Sequence, residues 1–142
     1  MIEQITNKDQ ILAIIIRNNY NKPGISFFTP DNFSQQLAYI NYPQAKEIQP
    51  HVHNIITREV HNTQEVLFLK KGCLRVDFYD EEQNYLKSSI LQAGDIILLA
   101  CGGHGFEALE EIEMIEVKQG PYAGDKDKTR FQGVSKDKII LS

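Results

Sequence analysis

The chain has 142 residues, 42% of them hydrophobic and 24% charged, the balance of one globular domain with its own core rather than of a disordered segment. Fifteen Lys and Arg against nineteen Asp and Glu leave a net charge of −4, which argues against a nucleic-acid footprint, because phosphate binding needs clustered positive charge. The longest apolar runs, Ile11–Ile16 and Ile96–Cys101, fall far short of the roughly 20 residues of a membrane helix, and two cysteines with no basic, apolar leader make a reducing cytoplasm the expected compartment.

In chain order, Thr6-x-x-Asp9 has the form of a capping box opening a helix through Ile11–Asn18. The isoleucines at 11, 14, 15 and 16 are β-branched, however, and the reading leans towards a strand. Pro23-Gly24, Thr29-Pro30 and Tyr42-Pro43 mark breaks, while Leu37–Asn41 and Pro50–Ile56 read as extended. After the turn Lys71-Gly72, Cys73–Tyr79 alternates Leu74, Val76 and Phe78 with Arg75, Asp77 and Tyr79, the period of a half-buried strand. Asp80–Asn84 is a hairpin loop, Tyr85–Ile90 a strand, Gln92–Asp95 a turn and Ile96–Leu99 a short buried strand. Gly102-Gly103 breaks the chain, Ile112–Lys118 resumes it, residues 125–130 form a charged loop, and Ile139–Leu141 is a short apolar end. Many short strands separated by regular turns predict an all-β sandwich or barrel formed by the whole chain.

Three of the four histidines fall at 51, 53 and 61, and the fourth at 104. On a strand His51 and His53 share a side about 6–7 Å apart, close enough to converge on one ion. Imidazole with carboxylate suits Zn, Fe, Mn, Ni or Co without choosing among them. Glu65 opens the apolar segment Val66–Leu69, and pairing of that segment against His51–Ile56 would carry it to the histidines. Glu59 is the competing carboxylate, in the polar connection 57–64. His104 follows two glycines, which let the backbone bend and bring the imidazole towards a central site.

Together these residues carry a resemblance. His51-x-His53, then Glu65 with six residues before Gly72, resembles the first motif of the cupin superfamily; Gly94-Asp95, a short apolar strand, Gly102 and His104 resemble the second. The similarity spans residues 51–107. It implies a double-stranded β-barrel (jelly roll) with N-terminal strands added at its edge, a homodimer, and a divalent transition metal held by His51, His53, Glu65 and His104. There are departures: eleven residues separate His53 from Glu65 where the family has three or four, Ala100 replaces a proline, and no asparagine follows His104. The phrases 62–68, 76–79 and 103–106 are similar to small cupins of bacterial surface-saccharide pathways, including the WxcM-like group.

The expectation that follows is a metal-binding cupin acting on a small polar organic substrate such as a sugar or sugar nucleotide, as an isomerase, epimerase or oxygenase, with no nucleic-acid or membrane partner. Two alternatives stand beside it. One is a metal-free sugar-nucleotide isomerase or epimerase with His51 and His53 as catalytic acid and base; the other is a cupin that binds its ligand without turnover. His61 reads as a surface or rim residue, Cys101 as a small buried hydrophobe, Arg58 with Glu59 as an exposed ion pair, and the glutamates at 107, 110, 111 and 113 as a solvated face.

Overall fold

The computed structural model describes residues 1–142 and contains ten strands and no α-helix. They are β1 (Ile2–Asn7), β2 (Gln10–Ile16), β3 (Gly24–Phe27), β4 (Ala38–Asn41), β5 (Glu65–Lys71), β6 (Cys73–Tyr79), β7 (Tyr85–Gln92), β8 (Ile96–Leu99), β9 (Gly103–Ala108) and β10 (Glu113–Lys118). The isoleucine run is a strand, as its β-branching implies, and Leu12–Ile16 is buried throughout.

The strands form antiparallel sheets of five (β1-β2-β8-β5-β10), three (β7-β6-β9) and two (β3-β4). They do not close into one hydrogen-bonded barrel, and β9 and β10 are left at sheet edges. The segment 50–56 lies outside every strand, so the expected pairing of β5 against it does not form; β5 pairs with β8 and β10 instead.

The core lies between the two larger sheets. Cross-strand register places Ala13, Leu99 and Glu65 at one level and Ile15, Ile97 and Leu67 at the next, on the same face of the five-stranded sheet. Leu74, Val76 and Phe78 meet them from β6 in one buried cluster. Each such side chain removed from water contributes roughly 1.5–3 kcal/mol. At one end of the cluster, Asp95 accepts hydrogen bonds from Arg17, from the Asn18 N–H and from the Gln92 N–H, pinning the β7–β8 turn to the end of β2.

The other face of β6 is also covered. There the C-terminal residues cross the three-stranded sheet: the Tyr79 hydroxyl accepts the Val134 N–H at 3.0 Å, and the Ser88 N–H donates to the Ile140 carbonyl at 2.7 Å. Arg75, Asp77 and Tyr79, on this face, are therefore shielded rather than solvated.

The β5–β6 hairpin turns at Gly72, whose φ of +89° is open to glycine, and a Cβ there would collide with the Glu111 carbonyl. Gly72→Ala is accordingly expected to lose about 2 kcal/mol or more in urea unfolding; an unchanged midpoint would show that this turn relaxes freely.

Candidate functional site

Glu65 is the first residue of β5, and period two places it on the inward face with Leu67 and Leu69. Like them it is buried, at 6% exposure. His104 lies opposite Phe78 in the β6–β9 register, so it faces inward from the other sheet. The two side chains meet at the end of the sandwich, with Nε2 of His104 2.7 Å from Oε1 of Glu65.

Gly102 makes this approach possible. Its φ is +74°, and a Cβ would stand 2.6 Å from the Tyr79 carbonyl. A larger residue would push the start of β9 away from β6, and His104 with it.

Lys118 is the cross-strand partner of Glu65 on β10. Its ammonium lies 3.6 Å from the second oxygen of Glu65 and 3.1 Å from Glu116. Burial alone pushes the Glu65 carboxyl up, but hydrogen bonds from His104 and Glu116 and the charges of His104 and Lys118 outweigh it and hold the pKa near about 2. Glu116 shifts the opposite way, raised by its hydrogen bond to Glu65 and by burial. Glu65 is thus the more persistent anion of the two.

That shift fixes a pH dependence. A carboxyl whose folded pKa lies below its ordinary value of 4.5 stabilises the fold above that value and loses the contribution as pH falls towards about 2. The difference in melting temperature between wild type and Glu65→Gln is expected to shrink steadily from pH 5 to pH 2.5; a constant difference across that range would contradict the ion-paired state.

The pair stands in a cavity of about 810 Å³ with a largely polar lining. Lys126, Lys128 and Arg130 line one wall, contributed by the segment that precedes the C-terminal crossing. Asp127 of that wall accepts a hydrogen bond from Thr63. Tyr79 and Phe131 stack edge to face beside it, ring centres 5.0 Å apart.

Of the four ligands implied by the cupin resemblance, two are brought together. His51 and His53 lie on the strandless segment 42–64, exposed, with ring centres 5.3 Å apart, and neither lines the cavity. Nδ1 of His51 is 2.9 Å from the Gln49 carbonyl. Glu59, the competing carboxylate, is exposed and contacts His61 at 3.4 Å. No group of three or more His, Cys, Asp or Glu side chains is arranged to hold a metal ion, and Glu65 already faces the Lys118 ammonium. The donor set therefore does not fit a four-ligand metal centre. The chain matches no family model, no curated protein and no solved structure.

Other residues enter that sequence reasoning left aside. His61, which reads as a surface or rim residue, lines the cavity with its side chain 77% exposed. Lys118 carries no local signal at all and is recognisable only from the β5–β10 register. Cys101 also lines the cavity, yet its thiol donates to the Ile11 carbonyl and burial raises its pKa, so it is a poor nucleophile.

Proposed function

We propose that this chain is a cupin-type jelly roll which binds a small polar, anionic organic molecule, a sugar or sugar nucleotide, and moves a proton on it with His104. The two facing antiparallel sheets support the fold, and the Glu65–His104 contact at 2.7 Å in the cavity supports the chemistry.

The arrangement assigns the protons. The carboxylate of Glu65 accepts Nε2–H of His104, which leaves Nδ1 as the free, basic nitrogen. When Nδ1 takes a proton from a carbon next to a carbonyl, the resulting imidazolium rests against a fixed anion. Return of that proton to the former carbonyl carbon, with the neighbouring hydroxyl proton passed to the former carbonyl oxygen, completes an isomerisation without net loss. Lys126, Lys128 and Arg130, which outnumber Asp127 on the same wall, supply the positive charge against which an anionic group binds, and the aromatic pair Tyr79 and Phe131 offers an apolar surface beside it.

Incubation with a panel of phosphorylated and nucleotide-linked keto-sugars in D₂O tests this reading. Deuterium should appear at a carbon next to the carbonyl with wild type and be lost with His104→Gln; deuterium uptake that survives this substitution removes His104 from the reaction. Ligand binding without any exchange would instead favour the non-catalytic alternative. The metal-binding reading needs His51 and His53 beside Glu65 and His104, and elemental analysis tests it separately: stoichiometric Zn, Fe, Mn, Ni or Co would favour it.

A further inference from the structure

Proton abstraction by His104 creates a negative charge that His104 does not itself meet. When the C–H bond next to a carbonyl gives up its proton, the charge comes to rest on the carbonyl oxygen. Here that oxygen sits in a cavity already holding the Glu65 carboxylate, with Glu116 beside it at Lys118. A further negative charge at such short range is disfavoured unless a cation stands next to it.

Four cationic side chains line the cavity, and they are not equivalent. Lys126, Lys128 and Arg130 belong to the C-terminal wall, where Arg130 has Asp125 within 4.0 Å. Lys118 comes from β10, opposite Glu65 in register, and is the one cation in contact with the acid–base pair. Nε2 of His104 takes one oxygen of Glu65 at 2.7 Å, and Nζ of Lys118 approaches the other at 3.6 Å. One buried carboxylate thus holds an imidazole from the three-stranded sheet and an ammonium from the five-stranded sheet at its two oxygens. Lys118 also has a donor to spare. An ammonium carries three N–H donors; Glu116 at 3.1 Å occupies one, and the Glu65 contact is longer than a hydrogen bond. The side chain is 31% exposed and lines the cavity, so its remaining protons are open to a ligand. The hydrogen bond to Glu116 and the charge of Glu65 keep the amine protonated, which suits it to hold an oxyanion and not to form a Schiff base.

We propose that Lys118 is a second catalytic residue, whose ammonium hydrogen-bonds the carbonyl oxygen of a bound keto-sugar and stabilises the enediolate formed when His104 removes the neighbouring proton. This role rests on the reading of His104 as the base. In the step, the C–H bond breaks and its proton passes to Nδ1 of His104. The electron pair left behind forms the new C=C bond, and the carbonyl π pair moves onto the oxygen held by Lys118. The proton of the neighbouring hydroxyl then crosses to that oxygen. His104 returns its proton to the former carbonyl carbon, and a carbonyl is left at the neighbouring position. Lys118 stays charged throughout, and no proton or electron is gained or lost overall. The substrate must therefore carry a hydroxyl on the carbon beside its carbonyl.

Rates of deuterium uptake from D₂O into the same panel of phosphorylated and nucleotide-linked keto-sugars test the assignment. Lys118→Ala should exchange about 10²–10³-fold more slowly than wild type, the loss that follows removal of one oxyanion donor. KM should change little, because Lys126, Lys128 and Arg130 remain. Methylammonium added to Lys118→Ala should restore about tenfold of the lost rate by supplying the missing donor, a response that a packing role does not give. Exchange at the wild-type rate in Lys118→Ala, or a loss that methylammonium leaves in place, overturns the role of Lys118 while His104 still stands as the base. Wild-type protein that exchanges no member of the panel overturns both together, so the two failures are told apart by the wild type alone. Should Lys118→Ala misfold, Lys118→Gln takes its place, since its amide can still donate to Glu116. The same slowing is expected there, and full exchange overturns the proposal.

Discussion

Glu65→Gln is expected to lower turnover on the substrate class proposed here by about 10²–10⁴-fold, the range that a positioned acid–base pair supplies. Its amide oxygen can still accept Nε2–H of His104, so the tautomer and the ring orientation survive. What is lost is the negative charge beside the imidazolium that forms when Nδ1 accepts a proton. The fall should therefore appear in kcat with KM little changed, because the basic wall of Lys126, Lys128 and Arg130 is untouched. His104→Gln removes the base itself and should cost at least as much. The double variant should be no slower than His104→Gln alone, since residues acting as one unit are strongly non-additive. Steady-state kinetics of the three variants check this, and a Glu65→Gln protein with full kcat would take the pair out of the reaction.

Where a stretch of sequence carries its own period, the fold was legible. Cys73–Tyr79 and Ile96–Leu99 occur as strands with the boundaries their alternation and flanking turns predict. β9 was not visible, because Gly103-His104-Gly105 has neither β-branched residues nor apolar alternation, and only its pairing with β6 makes it a strand. The alternation of β6 reads as a half-buried strand; the C-terminal segment covers its second face too, a contact between residues some 55 positions apart that no local pattern encodes. Half of the site was legible for a similar reason. Glu65, as the residue that opens an apolar strand, and His104, which follows two glycines, are legible as site candidates, and the two side chains do meet. His51 and His53 were placed beside them by a pairing of β5 with the upstream segment, but β5 takes both its neighbours from later in the chain. A two-residue repeat shows which side chains share a face of a strand, not which strand lies next to it.

The covered face of β6 yields the largest expected change in stability. Arg75 donates to both oxygens of Asp77, at 2.8 and 3.0 Å, and its other nitrogen lies 2.6 Å from Glu107. Asp77 also accepts the Ser88 hydroxyl at 2.5 Å; that hydroxyl lies 2.8 Å from the Tyr85 hydroxyl, which in turn accepts the Ile140 N–H. One carboxylate thus joins β6 to β7, and through Ser88 and Tyr85 to the C-terminal segment. Burial alone would raise the Asp77 pKa, but hydrogen bonds from Arg75 and Ser88 and the Arg75 charge lower it. Asp77→Ala leaves Arg75 with Glu107 alone and Ser88 without its acceptor. The loss should be about 3 kcal/mol in urea unfolding, the lower end for breaking a buried ion pair because Glu107 remains. Replacing both members, Arg75→Met with Asp77→Leu, should cost less than Asp77→Ala by itself, since desolvating neither charge is cheaper than stranding one. The C-terminal segment should respond too: proteolysis after Lys136 and Lys138 is expected to quicken several-fold in Asp77→Ala, as the Ser88 and Tyr85 contacts that hold Ile140 lose their anchor. A double variant less stable than the single one would show that the ion pair is a net stabiliser here rather than a charge pair held only by its own mutual need.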